Sequence, residues 1–418
     1  MLSVDRRPAS FLTRAARSAR HLTRRAIRWA RPRLESLEER LAPAVVEWDG
    51  EAGTTDWADA ANWTGDTLPG PADDVVIGAA YQGLTITSAA SQTVGSVTSA
   101  AGLSLTGGTF QANGGLAVSS PQRLFLLGGA TLRNTTVAAG TTLQGTAGTL
   151  DAVTLRGDLA MDRTDGNSIV SVRNGLTLDG TARLGTATRY AELTFWGPQT
   201  VAGTGTIVFG ANASNTIYAR NVTSAAIVTV AAGITIRGHS GVLRATAADG
   251  SFVNRGTIRA DVAGGRISIG SGSDAPFVNQ GTLLAVNGGT LTVSSNGWSS
   301  STPLEVTDAS RLELYGTISA VPLRAAGGGT IYVTWASNSG RSVTWTAETG
   351  STIDFREVNN TGGTLTLAGD GTFAHPRAAS RSVGGRVVHT GTGRFNVGSI
   401  TGGTVESAEL WGLVRLMA

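Results

Sequence analysis

Phe252-Val253-Asn254-Arg255-Gly256-Thr257-Ile258-Arg259-Ala260 returns 25 residues later as Phe277-Val278-Asn279-Gln280-Gly281-Thr282-Leu283-Leu284-Ala285. The flanking Gly264-Gly265-Arg266-Ile267-Ser268-Ile269 returns as Gly288-Gly289-Thr290-Leu291-Thr292-Val293 at an offset of 24. Each unit is a Gly-Thr pair followed by alternating aliphatics, the period-two signature of a short strand bounded by glycine. A repeat of this length built from strands, with no helical pattern, indicates a solenoid or a propeller. A propeller blade needs four strands and about 40 residues, so two or three strands per period fit one coil of a β-helix. One coil cannot bury its inward face alone, whereas stacked coils bury a continuous apolar column. In that stack Asn254 and Asn279 lie one above the other and are expected to form an amide ladder. Gly at the corners is expected to supply backbone angles that other residues resist.

The same unit recurs outward in both directions, as Gly205-Thr206-Ile207-Val208-Phe209, Gly233-Ile234-Thr235-Ile236, Gly329-Thr330-Ile331-Tyr332-Val333 and Gly363-Thr364-Leu365-Thr366-Leu367. From about residue 80 to residue 418 this amounts to roughly 14–16 coils, a rod on the order of 70 Å long. The expected fold is all-β: a right-handed parallel β-helix. Composition agrees, with 57 Gly, 41% hydrophobic and only 15% charged residues among 418. That apolar content excludes global disorder. With no Cys, a disulfide framework and a thiolate metal site are excluded, but export is not.

Charge divides the chain. Residues 1–40 hold 11 Arg against Asp5, Glu35, Glu38 and Glu39, a net of +7, so the chain's overall +3 leaves −4 for the remainder. A nucleic-acid-binding body would need its basic patch on the folded part, so no nucleic-acid partner is expected. No run of 18 apolar residues occurs, hence no transmembrane helix is expected. Residues 9–30 pattern as a basic amphipathic helix, with Phe11, Ala15, Ser18, Leu22, Ala26 and Trp29 at helical spacing among arginines. Such a leader, helical or disordered, suits contact with a membrane surface or export machinery.

Arg33-Leu34-Glu35-Ser36-Leu37-Glu38-Glu39-Arg40-Leu41-Ala42-Pro43-Ala44 follows. It resembles the LEPR-type N-terminal segment that opens many large bacterial surface and secreted proteins, with Glu39 standing where that motif has Pro. The resemblance implies export and cell-surface handling, not chemistry. The Gly-Thr units, over about three-quarters of the chain, are similar to the passenger β-helices of bacterial adhesins and autotransporters. That likeness implies an architecture and an extracellular or cell-surface location.

Between leader and repeats, residues 46–79 carry Trp48, Trp57 and Trp63, three of the nine Trp. The first coil of a solenoid has an apolar end that must be covered, and large aromatics bury much area each. The segment is therefore expected to be a Trp-rich N-terminal cap. The expected organisation is leader 1–45, cap 46–79 and β-helix 80–418. Asp49, Asp56, Asp59, Asp66, Asp73 and Asp74 offer oxygens to Ca²⁺, but their spacing matches neither an EF-hand nor a nonapeptide array. Turn chemistry is the expected role, with no metal and no cofactor.

Parallel β-helices also carry polysaccharide lyases and hydrolases. Glycoside hydrolysis needs two carboxylates a few ångströms apart across a groove. The best acidic cluster is Asp158, Asp162 and Asp165, beside Arg156 and Arg163, and is expected to be a solvated loop. His21, His239, His375 and His389 lack metal-ligand spacing. Gly-x-Gly tracts lack the following helix a phosphate cradle needs. No catalytic residue is expected. For carbohydrate binding, the aromatics Tyr332, Trp335 and Trp345 are the candidates. Strict alternation puts Tyr332 on the face opposite Ile331, Val333 and Trp335. The expected role is thus an exported, non-catalytic structural or adhesin-like protein whose partners are extracellular polysaccharide or cell-envelope components. The alternative is a polysaccharide-degrading enzyme, which would gather its carboxylates and arginines in one groove rather than spread them.

Overall fold

The computed structural model describes residues 44–119, 121–220, 226–245, 250–270, 276–295, 297–374, 381–396, 399–407 and 415–417. The leader, its amphipathic pattern, the LEPR-like segment up to residue 43, and His21 and His375 lie outside them. The described chain is a parallel β-solenoid. One sheet stacks 16 strands, each hydrogen-bonded to the next in chain order. Sixteen strands at about 4.8 Å span roughly 70 Å. The second sheet, of 28 strands, consists of two tracks. They fuse wherever one long strand bends through the corner, as in Thr149–Leu155, which pairs with both Thr131–Arg133 and Thr136–Val137. Each coil thus supplies three short strands.

The Gly-Thr-aliphatic unit explains the stacking. Thr206, Thr235, Thr257 and Thr282 register one on the next and face outward, while Ile207, Ile236, Ile258 and Leu283 register beside them inside. All four aliphatics are buried. Phe252 pairs with Phe277 and Asn254 with Asn279, as the repeat predicts. Both amides are buried, and Asn254 Nδ2 donates to Asn279 Oδ1 at 2.8 Å. Asn279 Nδ2 continues the ladder to the hydroxyls of Ser300 and Thr302, at 2.9 and 2.8 Å.

The signature glycine has a different cause from the one expected. Gly256 and Gly281 have no positive φ. A Cβ on Gly281 would overlap the carbonyl oxygen of Gly256 in the coil below, and one on Gly256 would overlap that of Ile234. Close approach of stacked backbones, rather than a left-handed angle, demands glycine here.

The N-terminal segment closes the apolar column. Val45–Glu47 pairs with Asp74–Ile77 at the edge of the larger sheet, and Asp56 bridges Thr87 at the edge of the smaller. Trp48, Trp57 and Trp63 are all buried. Trp63 meets the other two edge-on at 4.9 and 4.7 Å, and Trp57 meets Phe110 at 5.2 Å. Trp63 Nε1 donates to the carbonyl of Trp57 at 2.8 Å, satisfying its one polar atom. Among the described residues no helix is long and apolar enough to cross a membrane.

Candidate functional site

The three aromatic candidates do not form one platform. Trp345 lies in the strand Ser342–Ala347 and is fully buried. Its Nε1 donates to the carbonyl of Val321 at 3.1 Å, and its ring meets Phe355 at 5.6 Å. It is core, and no ligand reaches it. Trp335, which strict alternation sets on the face of Ile331 and Val333 and opposite Tyr332, is 42% exposed. The strand Thr330–Ser337 bends after Val333, where its register with the preceding coil slips. Thr334 turns inward, and its hydroxyl donates to the carbonyls of Leu314 and Gly316, both at 3.2 Å. That interruption of the two-residue period puts Trp335 outside, so Tyr332 and Trp335 share the outer surface on either side of a corner. Tyr315, which the same corner exposes, meets Tyr332 at 5.8 Å, and Arg356 lies 5.7 Å over Trp335.

Beneath this patch sits a buried carboxylate. Glu313 takes a hydrogen bond from Arg266 at 2.6 Å and another from Arg311 at 2.6 Å. Burial pushes its carboxyl up, but the two guanidinium groups outweigh that and hold it below the usual range. Tyr315 is pushed up, first by burial and then by the nearby Glu313 charge.

The acidic cluster is divided. Asp158 anchors the next coil, accepting from Thr181 N at 2.9 Å and pairing with Arg183 at 2.9 Å. Asp162 and Asp165 line an open groove of about 480 Å³ with Arg123, Phe125, Gln144 and Arg163. Arg163 grips Asp165 with two hydrogen bonds, 2.8 and 2.7 Å, which hold that exposed carboxyl below its ordinary range. A general acid needs the opposite shift.

The two described histidines make local contacts. His239 Nδ1 meets Ser240 Oγ at 2.8 Å, and buried His389 stacks on Phe395 at 5.4 Å. Two entrance acids do turn work, Asp56 accepting from Ala58 N at 2.9 Å and Asp73 from Gly70 N at 2.7 Å, whereas Asp74 accepts from Ser96 Oγ of the next coil at 2.5 Å. Among the described residues no group of three His, Cys, Asp or Glu is placed to hold a metal ion.

A second surface was not read from the sequence. On the larger sheet, Trp196 lies between Arg173 and Arg220, whose guanidinium carbons stand 5.7 and 5.5 Å from its ring centre. Tyr218 lies between Arg220 and Arg244, at 4.4 and 5.8 Å. Trp196 registers with Arg220 and Tyr218 with Arg244, so the alternation of cation and ring climbs from coil to coil. An open groove of about 590 Å³ runs along the adjoining corner, lined by Asn174, Gly175, Pro198 and the threonines 154, 177 and 200. The signal that would have found the ladder is the 24-residue step from Thr194-Phe195-Trp196 to Tyr218-Ala219-Arg220, with outward residues at matching places.

No protein-family model matches the chain, and neither a curated protein nor a solved structure is significantly similar to it.

Proposed function

We propose that this chain is an exported, non-catalytic β-solenoid, structural or adhesin-like, that works outside the cell or on its surface. Its partners on this reading are extracellular polysaccharide or cell-envelope components, and its leader contacts a membrane or export machinery. The observation that carries the proposal is how the body uses its charge. Carboxylates pair with arginines of other coils along its length: Asp151 with Arg133 at 2.8 Å, Asp158 with Arg183 at 2.9 Å, Asp261 with Arg237 at 2.8 Å, Glu313 with Arg266, two coils earlier, at 2.6 Å, and Glu406 with Arg386. Charge spread in this way ties coils together and keeps the outer faces wet. A polysaccharide-cleaving enzyme instead gathers carboxylates in one groove, with one poised to give up a proton. The LEPR-like segment supports export.

The test incubates the full chain with a panel of acidic and neutral polysaccharides and measures bound protein and new chain ends. Binding without cleavage is the expected result. New chain ends would overturn the non-catalytic reading and direct attention to the groove at Asp162 and Asp165.

A further inference from the structure

We infer that the outward ladder Arg173–Trp196–Arg220–Tyr218–Arg244, with the groove beside it, is a binding site for an anionic polysaccharide. The inference deepens the reading above by naming a ligand class, and its geometry stands whether or not that reading holds.

Three guanidinium groups, on the first, third and fourth of four successive coils, face outward around two half-buried rings. Among the described residues no carboxylate pairs with Arg173 or Arg244, and Arg220 has Glu192 only at 3.8 Å. Asp151 registers beside Arg173, but it is taken by Arg133 at 2.8 Å and by Asn174. Glu192 is shared with the Thr194 hydroxyl at 2.6 Å. Counting Arg133, Arg173, Arg220 and Arg244 against Asp151 and Glu192, the face is positive on a body that is otherwise net negative.

The rings hold the guanidinium groups in place, so less rotamer freedom is lost when an anion binds. A fixed guanidinium presents a planar fork that matches carboxylate or sulfate oxygens. Coils repeat at about 4.8 Å, a step comparable to one sugar ring, so one anionic group per ring or per second ring can meet successive rungs. The Thr154, Thr177 and Thr200 hydroxyls in the groove suit sugar hydroxyls. A single-stranded nucleic acid fits less well. It binds by stacking bases on open ring faces, and here guanidinium groups stand over the rings.

The experiment labels the full-length protein with phenylglyoxal and reads each arginine by mass spectrometry, which separates the ladder from the basic leader. Probes are polygalacturonate, dextran sulfate, neutral dextran and a thymidine oligonucleotide, at about 0.15 M salt. Polygalacturonate or dextran sulfate is expected to slow labelling of Arg173 and Arg244 about tenfold, equivalent to a favourable contact of about 1.4 kcal/mol. Exposed Arg341 and Arg394 should label at an unchanged rate. Protection by one polymer alone identifies carboxylate or sulfate as the group recognised. In a Trp196→Leu/Tyr218→Leu variant, shown folded by its thermal melt, the protection should vanish. No protection by either polyanion, equal protection by neutral dextran, equal protection of Arg341 and Arg394, or protection by the oligonucleotide alone would overturn the assignment. New chain ends in the same tubes would count against the non-catalytic reading while leaving the ladder assignment intact, and absent protection would do the reverse.

Discussion

Asn279 is buried at a turn and holds three coils together through Asn254, Ser300 and Thr302. Replacing it with Ala leaves one N–H of the Asn254 amide without its acceptor, while the Thr282 carbonyl at 3.3 Å still serves the other, and an unpartnered buried polar group costs about 1–3 kcal/mol. Asn279→Ala should therefore lower the urea midpoint measurably. The two tryptophans near the candidate patch give a sharper contrast. Trp345→Ala removes a fully buried indole and should cost about 3–5 kcal/mol. Trp335→Ala removes an exposed one and should stay within about 0.5 kcal/mol. Paired denaturation curves check both, and a large loss for Trp335→Ala would contradict the bend that exposes it. Gly281→Ala belongs to the same class: its methyl group meets the Gly256 carbonyl, and such overpacking costs about 1–3 kcal/mol.

At the scale of the strand, charge pairs tie one coil to the next. Glu313 on Arg311–Ser319 is a buried one, gripped by Arg266 from two coils earlier and by Arg311 from its own strand. Its folded carboxyl titrates below the ordinary value. Its stabilising effect is therefore complete above the unfolded value of about 4.3 and is lost as pH falls through the lower folded value. Glu313→Gln should cost about 1–2 kcal/mol at pH 7, and the gap from the parent protein should close on acidification below about pH 4. A gap that widened in acid would show the carboxyl to be raised instead. The strands and their period were legible because glycine, threonine and alternating aliphatics repeat in every coil, and the Asn254–Asn279 ladder followed from the 25-residue offset alone. Corners were not legible. At Thr334 the backbone skips one step, and a hydroxyl able to bond to backbone turns inward where alternation expects an outward residue. That step brings Trp335 to the same outer surface as Tyr332, against strict alternation, and Trp345 is core rather than a sugar platform because its strand turns it inward against Phe355. The arginine–aromatic ladder escaped notice because its members come from different coils and meet only once the register is fixed.

Across the whole body, stability is nearly a sum of coils and of the interfaces between neighbours, so its ends matter more than its middle. Trp57 and Trp63 stand at one end of the apolar column, against Phe110 and each other. The cap covers the edge of both sheets, through Val45–Glu47 on one and the Asp56–Thr87 bridge on the other. Without it, strand edges and apolar side chains of the first coil would face water or another chain. Trp63→Ala should cost about 3–5 kcal/mol locally, yet the effect should be graded along the axis. Amides of the first coils, such as those of Thr85–Ser88 and Ser96–Ser99, should exchange much faster. Amides far along the axis, in Thr330–Ser337, should keep their protection, because each coil touches only its neighbours. Hydrogen exchange read by mass spectrometry distinguishes the cases. A uniform rise along the axis would mean that the solenoid unfolds as one cooperative unit, and the Trp cluster would then be a fold-wide keystone rather than a cap.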